Sequence, residues 1–335
     1  MPDPTSNSVT TLSRGSGIRQ VARLSGVSIA TVSRVFNDAA SVHPATRERV
    51  LEHARALGYQ PSSLGRNLVR GRSDLLGLIV PDVSFPLYGE MICGIEAVLN
   101  ARGMSILLAS SHDDTASELM AAQHLLRHAI AGGIIINSRQ ELASFPPRGM
   151  NWIHVTPERD GVPHGVELDN EAGGRLAAHE LLRLGRRQIA YIGAPGCESV
   201  HRERGFTDEL RRVGLTSRRM QGDYSEQSGT WAAQALLEDG SGLDAVFVAG
   251  DLMAAGVLRA LHLRGLRVPE DVAVVGFDDA PLAALLYPRL TSIRQPARAM
   301  GAAAAEQSLR MMDGHSVESV IFSPELVRRE STAPP

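Results

Sequence analysis

The sequence predicts an α/β protein: a small all-α head, then a two-lobed core of parallel sheets flanked by helices. Residues 17–57 repeat apolar side chains at helical spacing, with breaks at Gly26 and Gly58. From Asp74 onward, short apolar runs alternate with amphipathic stretches in two successive sets. Charge is segregated along the same boundary. Residues 1–72 carry ten arginines against four acids, and the remainder carries 24 arginines against 33 acids. At 335 residues the chain is long enough for two or three domains, and 43% apolar residues can fill a core.

In the head, Ile18, Val21, Ala22 and Leu24 share one face of a helix over 18–25, with Ser16 and Gly17 as caps. Gly26 breaks that helix. Ser28 is placed to cap a second helix running through Phe36, with Val32, Val35 and Phe36 turned inward. Two short helices joined by a tight glycine turn form a helix-turn-helix. A third starts at His43-Pro44, where proline suits the first turn, and runs through Val50, Leu51 and Ala54 to about Leu57.

The body places strands at 75–80, 105–109, 133–136 and 152–155, then at 189–192, 245–248 and 272–275. Helices are expected between them, at 88–100, 117–128, 171–184 and 253–263. Such alternation means parallel strands with helices on both faces, and two sets mean two lobes with a ligand cleft at the strand C-terminal ends. A late strand near 319–322 is expected to return to the first lobe, so that several crossings join the two.

Composition closes many routes. Every one of the 34 basic residues is arginine. Without lysine there is no Schiff-base chemistry, no standard phosphate-binding lysine loop and no kinase-type lysine. Nucleophile-elbow, zinc-helix and C-x-x-C motifs are absent, so no enzyme and no cofactor are expected. Cys93 and Cys197 are too few for a disulfide framework. His124 and His128 have the i, i+4 spacing of a helical metal pair, but no third ligand accompanies them and no metal is expected. No apolar run is long enough to cross a bilayer, and the first sixteen residues lack the order of a secretory signal. A cytoplasmic, nucleoid-associated protein with no membrane partner is expected.

The basic head, with a net charge of +6, fits nucleic acid. The outward face of the second helix shows Ser28, Ile29, Ala30, Thr31, Ser33 and Arg34. Short hydroxyls can approach phosphates, an arginine can fork onto guanine O6 and N7, and small apolar groups can meet a thymine methyl. The whole run from Ile18 to Asn37, IRQVARLSGVSIATVSRVFN, resembles the signature of LacI/GalR-family transcriptional regulators. The resemblance continues through Thr46-Arg47-Glu48-Arg49-Val50 and Leu57-Gly58-Tyr59-Gln60-Pro61. It implies base contacts from Ile29, Ala30 and Arg34, and backbone contacts from Ser28, Thr31, Ser33, Asn37 and Tyr59. Residues 61–68 resemble the family's hinge helix, whose leucine, here Leu68, enters the minor groove. Gly65 departs from the alanine usual there and weakens the helix by about 0.5–1 kcal/mol.

The body resembles the family's periplasmic-binding-protein-like core through Gly77–Asp82, Leu168-Asp169-Asn170, Arg202–Phe206, Val275–Asp279 and Leu290–Pro296. The resemblance implies that Arg202 and Asp278 hold a small effector, with Tyr224 at a usually aromatic position and Phe85 lining the same cleft. Two positions depart from the pattern. Gly250 stands where an asparagine is common, and Thr156 where sugar-responsive members often carry an acid. Fewer polar anchors point to a sugar derivative, with Arg202 suiting a sugar acid, or to a protein co-regulator acting on a degenerate pocket.

The expected organisation is an N-terminal tail over 1–16, a DNA-binding head over 17–60 and a hinge and linker over 61–73. The core then spans 74–330 and a tail 331–335. Some family members tetramerise through an added leucine-heptad tail; this sequence ends at Ala333-Pro334-Pro335 without one, and a homodimer on a pseudo-palindromic double-stranded operator is expected. A solute-binding transport protein is the remaining alternative, and it leaves residues 1–72 without a role.

Overall fold

The computed structural model describes residues 17–37, 41–59, 73–138, 151–156, 165–240 and 242–333. Residues 1–74 and 75–335 are two compact units. The expected hinge, with Gly65 and Leu68, lies outside the described residues.

Three helices build the first unit: α1 (Gly17–Ser25), α2 (Ile29–Asn37) and α3 (Pro44–Ala56). Val21, Ala22, Val32, Val35, Val50 and Ala54 are buried together, with Ile18, Phe36, Leu51 and Tyr59 packed around them. Gly26 takes φ +64 in the α1–α2 turn, a left-handed conformation that glycine adopts without a side-chain clash. Leu24, expected to face inward, is 47% exposed. Val21, Ala22 and the buried Ser25 set the inward stripe of α1, and Leu24 falls on its flank. Arg49 Nε donates to the Ser25 carbonyl at 3.0 Å and the His53 ring meets Ser25 Oγ at 3.3 Å, so α3 grips the end of α1.

The second unit begins with β1 (Leu75–Val80), α4 (Pro86–Ala101), β2 (Ser105–Ser110), α5 (Thr115–Arg127), β3 (Gly132–Ile136), β4 (Trp152–Val155) and β5 (Gly165–Leu168). It continues through α6 (Asn170–Arg183), β6 (Ile189–Gly193), α7 (Cys197–Arg212), β7 (Arg218–Gln221), α8 (Glu226–Glu238) and β8 (Ala245–Val248). α9 (Asp251–Leu263), β9 (Ala273–Asp278), β10 (Thr291–Arg294), α10 (Ala297–Met312), β11 (Val320–Phe322) and β12 (Glu325–Val327) complete it. One sheet has the order β11-β5-β4-β3-β1-β2, the other β12-β10-β9-β8-β6-β7. Pairing is parallel except for β12 against β10. As expected, the late strand β11 rejoins the first sheet. The chain crosses between the lobes after β5, after β10 and after β11.

Helices pack in pairs, α4 on α10, α6 on α7 and α8 on α9. The α6–α7 contact is close enough that a Cβ on Gly174 would lie 2.0 Å from the Arg202 carbonyl oxygen, and one on Gly205 2.0 Å from that of Glu171. Backbones can approach this closely only across glycine, and the contact fixes where α7 presents Arg202.

Ser331 and Thr332, expected to lie in a tail beyond residue 330, are instead fully buried. Ser331 Oγ donates to the Val274 carbonyl at 2.6 Å and accepts from the Thr291 amide, while Thr332 Oγ1 donates to Glu180 Oε1. Short hydroxyl residues have no apolar pattern to betray burial, and here they satisfy backbone groups that would otherwise lack partners.

Candidate functional site

On α2 the inward residues Val32 and Val35 are buried, while Ile29, Ala30 and Arg34 are exposed. Ser28 is the cap of this helix: its Oγ accepts from the Thr31 amide at 3.1 Å and lies 2.9 Å from Thr31 Oγ1. The cap satisfies one amide of the α2 N-terminus, which carries the partial positive charge of a helix start. Among the described residues no carboxylate pairs with Arg34, so its fork is available. Thr31 and Ser33 are half-exposed, and Asn37 closes α2. Tyr59 packs edge-on against Phe36 at 5.8 Å, and this burial raises its hydroxyl pKa. The sequence-predicted DNA residues of the head thus lie on or beside α2, except Tyr59, which follows α3; the hinge pair Gly65 and Leu68 lies outside the described residues.

In the second unit a cleft of about 280 Å³ opens where strands of both sheets end. That size suits a small metabolite. Phe85, Thr156, Arg202, Tyr224 and Asp278, all expected from the sequence, line it together. Gly250 lies beside it: a Cβ there would meet Tyr224 Cδ1 at 3.2 Å and Asp278 Oδ2 at 3.6 Å. The ring of Tyr224 therefore takes much of the space an asparagine would occupy. Phe85 stands 5.3 Å from Tyr88 and 6.2 Å from Tyr224, so three rings form one wall.

Arg202 is buried, but not by the acids its sequence neighbours offer. Nε donates to Asn170 Oδ1 at 2.9 Å and Nη1 to the Ala249 carbonyl at 2.6 Å, with the guanidinium 3.6 Å over the Phe277 ring. Asp278 accepts from Gln295 Nε2 at 2.6 Å. Burial pushes its pKa up to about 6, against the pull of Arg202 and the Gln295 hydrogen bond. Behind it the fully buried Asp251 accepts from Ser292 Oγ and the Ala280 amide, and desolvation raises its pKa well above the carboxylate range.

Sequence reasoning missed most of the acids. Asp82, Asp113, Glu198 and Asp223 join Asp278 in the lining, five carboxylates against one arginine. Tyr224 donates its hydroxyl proton to Glu198 Oε1 at 3.1 Å, and Thr156 donates to Asn137 Oδ1. A sugar acid, the preference drawn from Arg202, would meet five carboxylates and a guanidinium whose Nε and Nη1 already donate to Asn170 and Ala249. One signal was present but unreadable without coordinates. Asp113, Asn137, Thr156, Tyr224 and Asp278 all have positive φ, and for the β-branched Thr156 at φ +48 that is a strained conformation.

Among the described residues no group of three or more His, Cys, Asp or Glu converges as a metal site, and no helix is long and apolar enough to cross a membrane. His124 and His128 face each other at 3.3 Å, with Arg127 beside them.

A helix-turn-helix head followed by a two-lobed, cleft-bearing core is the build of a bacterial DNA-binding regulator. Residues 17–62 match the bacterial regulatory proteins of the lacI family, and residues 178–332 match the periplasmic binding protein-like domain. The ribose operon repressor of Halalkalibacterium halodurans is 31% identical over 322 residues, covering 94% of this chain and 96% of the repressor. A structure of the transcriptional regulator CelR with cellobiose shares 32% identity at TM-score 0.71, covering 94% of this chain and 99% of that one. The lac repressor dimer bound to operator and the anti-inducer ONPF shares 27% identity at TM-score 0.84, covering 93% and 97%. The chain belongs to the lacI family of bacterial regulatory proteins; it is a transcriptional regulator and not an enzyme.

Proposed function

We propose that this chain is a cytoplasmic, homodimeric repressor. It reads a pseudo-palindromic operator through α2 and is controlled by a small polyhydroxyl metabolite in the interlobe cleft. Ile29, Ala30 and Arg34 meet base edges in the major groove. Ser28, Thr31, Ser33, Asn37 and Tyr59 position the head on phosphates, and Leu68, in a hinge softened by Gly65, enters the minor groove. Arg202, Asp278, Tyr224, Phe85 and Thr156 contact the effector, with Gly250 making room for the Tyr224 ring.

The observation that carries this reading is the division of α2 into a buried apolar side and an exposed side offering an isoleucine, an alanine and an arginine with no carboxylate partner among the described residues. An isoleucine exposed beside an alanine and an arginine on one helix can meet a thymine methyl while the arginine forks onto a guanine. Relatives named for ribose, and complexes with cellobiose and ONPF, support a sugar-like ligand, and the lac repressor dimer supports two-fold binding. Selection from a random duplex library with the purified chain tests it. The expected product is an inverted repeat with half-sites about one helical turn apart. Recovery of unrelated sequences with no shared repeat would refute specific, two-fold reading.

A further inference from the structure

We infer that the effector carries a protonated amine on a small polyhydroxyl frame, an amino sugar or amino polyol, its ammonium group held by Glu198 and Asp278 against the Phe85–Tyr88–Tyr224 wall. This rests on the reading of the cleft as the effector site and adds the ligand's charge to it.

Outside the cleft several acids of this unit pair with arginine, while the fully buried Asp251 is held by Ser292 Oγ and the Ala280 amide. Glu180 takes Arg183 and Arg328, each at 2.8 Å. Asp279 takes Arg294 at 2.7 Å and Arg329 at 2.6 Å. In the cleft the pattern stops. Among the described residues none of Asp82, Glu198, Asp223 and Asp278 has an arginine or histidine at ion-pair distance. Adjacent Asp278 and Asp279 make the contrast within one loop: two guanidinium partners for one, an amide for the other.

The cleft's own guanidinium draws on Asp278 and Glu198 at once and is one charge against two. Arg202 gives Nε and Nη1 to Asn170 and Ala249, and its nearest aromatic neighbour is Phe277. Glu198 and Asp278 are only 9% and 5% exposed, so bulk water does not stand in as counter-charge. Hydroxyl groups of a neutral ligand would satisfy the lone pairs and add nothing to the single charge of Arg202; an ammonium group satisfies the lone pairs and adds a second positive charge. The aromatic wall favours the same group, because the negative faces of Phe85, Tyr88 and Tyr224 attract a cation. A metal ion is a poorer fit, since no three ligating groups converge among the described residues.

The test is calorimetric titration and thermal melting of the full chain with matched probes at neutral pH. The amines are D-glucosamine, D-galactosamine and glucamine. Their neutral counterparts are D-glucose, D-galactose and sorbitol, and the anions are gluconate and glucose 6-phosphate. At least one amine is expected to bind at least about tenfold more tightly than its neutral counterpart, with no binding of either anion. Glu198→Gln and Asp278→Asn are each expected to raise the ligand-free melting temperature and to weaken the amine by about tenfold or more, the amine losing more affinity than its neutral counterpart. A neutral sugar binding as tightly as its amine, and weakened by Tyr224→Ala, would overturn the amine and leave the cleft reading standing. A probe that binds equally well to Glu198→Gln, Asp278→Asn and Tyr224→Ala would place the effector elsewhere and overturn both. Absence of binding by every amine, or ligand-free melting lowered in both acid variants, overturns the inference as well.

Discussion

Gly174→Ala probes whether the α6–α7 contact is what places Arg202. The new Cβ would stand 2.0 Å from the Arg202 carbonyl oxygen, where real contacts lie beyond 3.0 Å. Both atoms are held by main chain, so no rotamer change relieves a deficit of about 1 Å or more and the helices must separate. Because the crowded carbonyl belongs to Arg202 itself, the movement passes to its bonds with Asn170 at 2.9 Å and Ala249 at 2.6 Å. Overpacking of this kind costs about 1–3 kcal/mol, only partly offset by up to about 1 kcal/mol of helix propensity. A 2.0 Å clash with main chain belongs at the upper end of that range, about 2–3 kcal/mol before the propensity offset and about 1–2 kcal/mol after it, so at about 2–4 °C per kcal/mol the melting temperature should fall by about 2–8 °C. Gly89→Ala is the control, because nothing lies within 4 Å of the Cβ it would add to α4. It should leave stability unchanged or raise it by up to about 1 kcal/mol. Scanning calorimetry on both variants decides. Equal melting temperatures for Gly174→Ala and wild type would mean that glycine is not required there, and the account of how Arg202 is positioned would fail.

Other expected outcomes concern the head and the buried acids. Arg34→Ala should lose about 1–3 kcal/mol of preference at the base it reads while keeping salt-sensitive nonspecific binding, measured by competition with scrambled duplex; unchanged preference would remove the base contact. Val32→Ala opens a hole in a core of six small buried residues and should destabilise the head by about 1–3 kcal/mol, read by amide exchange in residues 17–59 against an unaltered core. For pH, Asp278 keeps its proton up to about pH 6 when folded, above the ordinary value of 3.8. The native state then binds more protons than the unfolded chain between about pH 4 and 6, so stability falls as pH rises through that window. Asp251, Glu198, Asp279 and Arg202 surround the group, and Asp278→Asn isolates its share. The wild-type melting temperature should drop relative to the variant between about pH 4 and pH 6, and parallel curves would contradict the assignment.

The strands legible in the sequence were those whose burial is written in aliphatic runs: Leu75–Val80, Trp152–Val155 and Ala245–Val248 were placed to the residue. The edge strand Arg218–Gln221 reads RRMQ, with no apolar alternation to mark it, and gains its structure from backbone pairing with β6. The helix Cys197–Arg212 was equally quiet, since its buried side is made of Glu198, Ser199, Arg202, Gly205 and Glu209 as well as Phe206 and Leu210. Glu198 and Arg202 are inside because they line the cleft, Ser199 bonds Tyr191 and the Ala194 amide, and Glu209 takes His179 and Arg212. In the site itself, Arg202, Asp278, Tyr224, Phe85 and Thr156 were reachable through resemblance. Asp113 and Asn137 were not, because they come from strand ends far apart in the chain and only the fold brings them together. Gly250 read as a lost anchor, whereas the structure fills its space with the ring of Tyr224.

The central claim is that one chain couples a DNA-reading helix to a ligand cleft, and titration of a labelled operator duplex with wild type and Asp278→Ala tests it most directly. A ligand that raises the wild-type melting temperature should shift the wild-type Kd for operator by about 5- to 150-fold, the usual range of coupling between two sites. Asp278→Ala should bind the same operator with its ligand-free Kd intact and show no shift. An equal shift in both proteins, or ligand binding to wild type that leaves operator affinity untouched, would contradict the coupling and with it the account of this chain as a ligand-controlled repressor.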